Sequence, residues 1–370
     1  MATAVATLGR VRRDWRPWIG GAAVGLAALA FPLVAPNESW LNLGILVLLY
    51  AALAQAWNIL GGFAGQVSLG NAAFFGVGAY TSTVLLDRWN VSPWLGMAAG
   101  AALAGVFAVV VGYPVFRLGG HYFAIATIAL AEIVLVLVAN WDYVGGAVGL
   151  SIPFVRGPDR RPTDSWAFLQ FNESRAPYFY VVLGLALLAT LVAVAVERSK
   201  VGYYLRAIKN DQQAARALGV DVLRYKLVAI VVSAALTAAL GTFYAQYLLF
   251  IDPDTTMRLE LSVLIALVAI LGGVGTVAGP LLGALVLIPL SELTRSRLGG
   301  GGNTLDLVLY GGLIVLIAVF QPNGLLALGR RLAGGRRAVR PRDRELPSDR
   351  QDKEREEAPL LGGVGPGGER

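Results

Sequence analysis

Glu197 to Lys226 reads ERSKVGYYLRAIKNDQQAARALGVDVLRYK, a basic, helix-forming stretch between two long apolar runs. Its seven Lys or Arg against three acids assign it to the cytoplasmic side of a membrane, because positive loops are retained there during insertion. Near its centre Ala214, Ala215 and Gly219 form an Ala-Ala-x-x-x-Gly pattern. That small face lets a groove of another protein approach closely.

The sequence around this loop is that of a polytopic membrane protein. Hydrophobic residues fill 56% of the 370 positions, charged residues 15%, and mean hydropathy is +0.62. A span needs roughly 20 mostly apolar residues. Candidate runs lie at 18–35, 41–60, 67–86, 94–116, 121–139, 177–196, 227–250, 259–275, 278–293 and 305–321. The expected fold class is therefore all-α, with about 8–10 transmembrane helices, some broken or re-entrant where glycines interrupt them. The runs 259–275 and 278–293 are separated by glycines and read equally as two spans or a re-entrant pair.

Charge orders these spans. Arg10, Arg12, Arg13 and Arg16 favour a cytoplasmic N-terminal arm over 1–17, and an even number of crossings through a membrane domain over 18–326 returns the C-terminus to the same side. Arg117, the 197–226 loop and the cluster Arg330, Arg331, Arg336 and Arg337 then lie inside. The segment 140–177 lies outside, and from Trp141 onward it has four basic and four acidic residues and no positive bias. The run Trp18–Val34 follows positive residues like a signal peptide, but Pro36 and Asn37 replace a small-x-small cleavage site, so it is read as a retained span. Residues 327–370 mix Arg, Glu, Pro and Gly without apolar periodicity, the composition of a disordered cytoplasmic tail.

The net charge of +7 follows from cytoplasmic loops and tails and requires no nucleic-acid partner. The absence of cysteine and the single histidine, His121, exclude disulfides and thiolate chemistry and leave no basis for a histidine metal centre. His121 reads as an interfacial anchor; Trp89, Trp94, Trp141 and Trp166 read as an aromatic belt or a docking surface. No Gly-x-x-x-x-Gly-Lys-Ser/Thr occurs, so ATP and Mg, if used, are bound by another chain.

Two glycine-rich interruptions mark the spans. Ile59-Leu60-Gly61-Gly62 runs on to Gly65-Gln66-Val67-Ser68-Leu69-Gly70-Asn71, and Ile270-Leu271-Gly272-Gly273 runs on to Gly275-Thr276 and Gly279-Pro280. Such interruptions at corresponding places in two halves point to a transport pathway, because freed backbone groups are tolerated at membrane depth only beside protein or a water-filled cavity. Gln66, Ser68 and Asn71 are candidates to line that path, alongside a reading of the glycines as packing faces. Glu132, within the 121–139 run, should face a cavity or a partner, since a charged group at that depth costs about 2.5–3.5 kcal/mol on insertion scales. Gln55 and Asn58 share one helical face, and Ser233, Thr237 and Tyr244 another; both read first as interhelical hydrogen-bonding stripes.

From about Leu43 to Leu326 the chain resembles the permease subunits of bacterial branched-chain amino-acid ABC importers, the LivH/LivM family, on its LivM-like side. The resemblance is carried by Asn58-Ile59-Leu60-Gly61-Gly62 with Gly65 to Gly70, by Tyr122-Phe123-Ala124-Ile125-Ala126-Thr127, and by Gly145-Gly146 with Gly149-Leu150. The run from Ser199 through Arg206 and Ala214-Ala215 to Gly219 and Tyr225-Lys226-Leu227, and Gly272 to Pro280, complete it. It implies an ABC importer permease fold in the bacterial cytoplasmic membrane, with no cofactor bound by this chain. The implied partners are a LivH-like second permease, two ABC ATPase subunits that use ATP and Mg, an extracytoplasmic substrate-binding protein, and membrane lipid. Asp211, Gln213, Ala214, Ala215 and Gly219 become the implied coupling contacts to the ATPases. Gln213 stands where the general importer motif Glu-Ala-Ala-x-x-x-Gly has its acid, so Asp211 is a candidate to substitute for that charge. Asn58, Gln66, Ser68, Asn71, Tyr122 and Glu132 become the implied translocation-pathway candidates.

The substrate stays open between leucine, isoleucine and valine on one side and urea or short amides on the other. A secondary transporter accounts for the spans and Glu132 without needing the cytoplasmic loop, and a membrane-embedded enzyme lacks a visible catalytic cluster.

Overall fold

The computed structural model describes residues 28–118, 120–155 and 163–297, with isolated positions at 312 and 325–326. The chain divides into two compact units, 1–329 and 330–370. The second unit, the expected arm at 1–17, the span at 305–321 except position 312, and the tail from 327 lie outside the described residues, and the first expected span is described only from 28, where 28–34 is helical.

The described part is helical: α1 (Glu38–Asn58), α2 (Asn71–Trp89), α3 (Pro93–Val115), α4 (His121–Ala139), α5 (Ala176–Arg198), α6 (Lys200–Asn210), α7 (Gln212–Ala217), α8 (Val222–Leu248), α9 (Pro253–Met257), α10 (Leu259–Gly272) and α11 (Gly279–Arg297). Six helical stretches among them are long and apolar enough to cross a membrane: Glu38–Phe63, Pro93–Val115, Tyr122–Ala139, Ala176–Arg198, Val222–Leu248 and Pro253–Gly272. Gly279–Leu293 is a shorter apolar helix. The chain is an all-α multi-pass membrane protein.

Boundaries move where side chains cap the backbone. The expected span at 67–86 begins as a helix only at Asn71, because residues 65–70 form an irregular connection in which Gly65 has φ +67°. The expected loop to Lys226 ends early, because the Asp221 carboxylate accepts the Arg224 N–H at 3.1 Å and starts α8 at Val222. Ser92 caps α3 in the same way ahead of Pro93, where proline is preorganised for a first turn.

α2, α3 and α8 pack against one another as one group, and α1 packs between α5 and the α10–α11 pair. Inside a bilayer, helix association rests on close van der Waals contact rather than on expelling water. Small residues supply it: a side chain at Gly78 would strike the backbone of Ala238, one at Gly241 would strike that of Phe75, and Thr242 donates to the Gly78 carbonyl at 3.0 Å. The largest core joins Ile45, Leu53 and Trp57 of α1 to Phe179, Phe243 and Ile265.

The bundle has two distinct ends. At one, β1 (Leu150–Ser151) pairs antiparallel with β2 (Phe250–Ile251), tying the 140–155 segment to the α8–α9 turn. Arg88 donates to the Tyr143 carbonyl and Trp94 to that of Trp166 at this end, where Trp89, Trp94, Trp141 and Trp166 are all exposed. At the other end lie α6 and α7.

Candidate functional site

The 197–226 loop folds into two short helices held in a fixed shape. Ser199 starts α6 by accepting the Gly202 N–H, and Gly202, Leu205 and Ile208 are buried at helical spacing while Tyr203, Arg206 and Lys209 keep exposed surface. Asp211 separates the two helices and caps α7, its Oδ1 accepting the Gln213 and Ala214 N–H groups at 2.8 and 3.0 Å. The Asp211 carboxylate is thus engaged by its own helix, which favours an acceptor at that position. The buried Lys226 of α8 donates from Nζ to Gln212 Oε1 at 2.9 Å and sits 5.8 Å from the centre of the Phe116 ring.

α7 closes in a Schellman turn: Gly219 N–H donates to the Arg216 carbonyl at 2.9 Å and Val220 N–H to that of Ala215 at 3.1 Å. Gly219 has φ +82°, with open space where a side chain would stand, so glycine is required here by backbone conformation. The Ala-Ala-x-x-x-Gly positions therefore have different jobs. Ala215 packs inward with Ile208 and Val222, Gly219 ends the helix, and Gln213 and Ala214 remain exposed beside Leu218, which is 85% exposed.

The glycine breaks meet at this same end. α1 passes into a π-helical turn over Ile59–Phe63, a geometry found mostly at functional places. The side chain of Asn58 joins this turn to the α10–α11 connection: Nδ2 donates to the Thr276 carbonyl at 2.9 Å and Oδ1 accepts the Gly275 N–H at 2.8 Å. Lys209 reaches from α6 to donate to the Gly62 carbonyl at 2.8 Å. Its stem crosses Gly65, φ +67°, where a Cβ would come within 2.9 Å of Lys209 Cγ.

The backbone freed between α1 and α2 is satisfied by protein. Trp57 Nε1 donates to the Ser68 carbonyl at 2.7 Å, the Leu69 N–H to Thr127 Oγ1 at 3.1 Å, and the Ala72 N–H to Ser262 Oγ at 2.8 Å. Of the pathway candidates, Asn58, Ser68 and Asn71 are buried together around this break, and Gln66 is half-buried at its edge. Asn71 Nδ2 and the side-chain amide atoms of Gln55 find no hydrogen-bond partner among the described residues. The Ser233 and Thr237 positions lie inside the bundle, but Thr237 donates to the Ser233 carbonyl of its own helix rather than across to another, and the Tyr244 ring is tilted against Phe75.

Tyr122 and Glu132 stand apart from that cluster. Both are exposed on α4, Tyr122 by 72%, on a face shared with Ile125, Ile133, Val136 and Leu137. α4 is the least covered of the six candidate spans. Three residues at the loop end had no individual signal in the sequence. Lys209 and Lys226 were two basic residues among seven, and Leu218 was one of several apolar residues in the loop, beside Val201, Leu205, Ile208, Val220, Val222 and Leu223.

Residues 39–318 match the family described as "Branched-chain amino acid transport system / permease component". The chain is 29% identical over 323 residues to the LivM permease protein of the high-affinity branched-chain amino acid transport system of Escherichia coli, covering 83% of this chain and 74% of that one. It is 24% identical over 307 residues to a probable branched-chain amino acid transport permease LivM of Methanocaldococcus jannaschii, covering 75% and 86%. The LivH permease protein of Salmonella typhimurium matches at 24% over 286 residues, covering 75% and 91%. No solved structure matches. A family match that covers the described membrane helices from α1 to α11, with both glycine breaks and the α6–α7 loop inside it, makes this chain a member of the branched-chain amino-acid transport permease family.

Proposed function

We propose that this chain is the LivM-like permease subunit of an ATP-driven importer of leucine, isoleucine and valine. The observation that carries this reading is the family match over 39–318, which spans the membrane helices and the loop together. The chain supplies a pathway and a lever, and the nucleotide chemistry belongs to partners. Two ATPase subunits dock below the permease pair, and this chain meets them through α7, whose outward residues Gln213, Ala214 and Leu218 are presented by a backbone capped at both ends. Closure of the ATPases on ATP moves this loop as a unit and shifts the membrane helices between outward and inward openings.

A second permease covers the exposed face of α4. An ionisable side chain such as Glu132 is costly against lipid, so burial against another polytopic subunit, or against a wet pathway between the two, explains its outward position. An extracytoplasmic binding protein delivers substrate at the opposite end, where the paired strands and exposed tryptophans lie.

The test is uptake of labelled leucine into vesicles holding this chain, its partner permease, the ATPases and the cognate binding protein. ATP-dependent accumulation is the expected result. ATPase stimulation by a urea-loaded or amide-loaded binding protein, with no leucine uptake, reassigns the substrate; accumulation without the ATPases overturns the importer reading.

A further inference from the structure

Lys209 is the one cationic side chain among the described residues seen to hydrogen-bond across from the α6–α7 loop to the glycine break of α1. Three elements converge on it. The Gly62 carbonyl that receives its Nζ lies in the π-helical turn that ends α1. Gly65 passes so close to its stem that a Cβ there would stand 2.9 Å from Lys209 Cγ. On the second break, a Cβ at Gly275 would stand 3.2 Å from Lys209 Nζ. Asn58 closes the arrangement by binding Gly275 and Thr276 from the α1 side.

The chemistry of the contact is directional. The last carbonyls of a helix lack partners and carry the negative end of its dipole, so an ammonium is the favoured group there, and a charged donor makes a stronger bond than a neutral one. Lys209 is an exposed residue, and its helix is joined to α7 by the single extended residue Asp211. Displacement of α7 therefore pulls on the Gly62 carbonyl through one side chain.

We infer that Lys209 is a positioning residue for transport: it links the cytoplasmic loop to the two glycine breaks, so that loop movement is converted into movement of α1 against the α10–α11 turn. This rests on the importer reading above.

The experiment compares the full complex carrying Lys209→Met, which keeps the stem and removes the charge and donor, with the parent complex and with Lys209→Arg. Leucine taken up per ATP hydrolysed is the readout, with copurification of all subunits measured alongside. The expected result is an intact complex that still hydrolyses ATP while uptake per ATP falls about ten-fold, the scale of one charge-assisted hydrogen bond. The arginine variant should recover part of the ratio. A Met variant that assembles and keeps the parent ratio overturns the proposal. If the Met variant does not assemble, Lys209→Gln takes its place, and an unchanged ratio in it has the same meaning. Absence of ATP-dependent uptake in the parent complex is a different failure, because it removes the importer reading and this proposal with it.

Discussion

Asp211 shows how a residue's surroundings change what its chemistry means. As an isolated acid beside Gln213 it suits an ionic contact with a partner, whereas its Oδ1 in fact receives two N–H groups of α7. Asp211→Ala should loosen α7 by about 1 kcal/mol, and Asp211→Asn, an equally good cap, should leave it nearly unchanged. Hydrogen exchange across residues 212–218 reads this directly; faster exchange in the Asn variant would show that the charge, rather than the cap, holds the helix. Asn58 carries more weight because its side chain is buried and makes both of its bonds to half-buried backbone groups of one distant turn. Asn58→Leu removes the partners of the half-buried Gly275 N–H and Thr276 carbonyl, at about 1 kcal/mol for each, and a lowered thermal midpoint of the detergent-solubilised protein is the expected outcome. An unchanged midpoint would mean that the two turns are held together by other contacts.

Among the elements, α7 is the clearest case of a short helix that cannot stand alone. Six residues do not sustain a helix by propensity, so the Asp211 cap, the Lys226–Gln212 bond, the packing of Ala215 and the Schellman turn at Gly219 hold it from four sides. What it then offers to solvent is Gln213, Ala214, Arg216 and Ala217 with one large apolar side chain, Leu218. Leu218→Asp should leave folding intact, since the side chain touches little of its own chain, and should abolish retention of the ATPase subunits. Copurification at matched expression checks this, and full retention in the variant would remove Leu218 from the docking surface. α10 and α11 make the opposite point. Their apolar runs were as compatible with a re-entrant pair as with two spans; the structure joins α9 to α10 as one crossing-length segment, Pro253–Gly272, whose far end reaches the Asn58 and Lys209 contacts of the loop end.

On the scale of the whole molecule, the exposed face of α4 is the feature that the described residues leave unpartnered. Glu132→Leu should fold at least as well as the parent in detergent, because the exposed Glu132 carboxylate makes no hydrogen bond or ion pair among the described residues, and it should change recovery of the second permease or the rate of uptake. Pull-down of the partner together with leucine uptake tests this; no change in either would return Glu132 to the lipid-facing surface. The membrane class and the placement of most described helices to within a few residues were legible in the sequence, because hydropathy adds up locally over about 20 residues. The family resemblance was legible too, through motifs that the matched range now encloses. Only the tertiary structure decided that Asn58 grips a turn 217 and 218 residues away, that Lys209 reaches the same junction, and that Glu132 faces outward. Those outcomes depend on which helix faces meet after packing, and no local pattern of residues records a contact between segments so far apart in the chain.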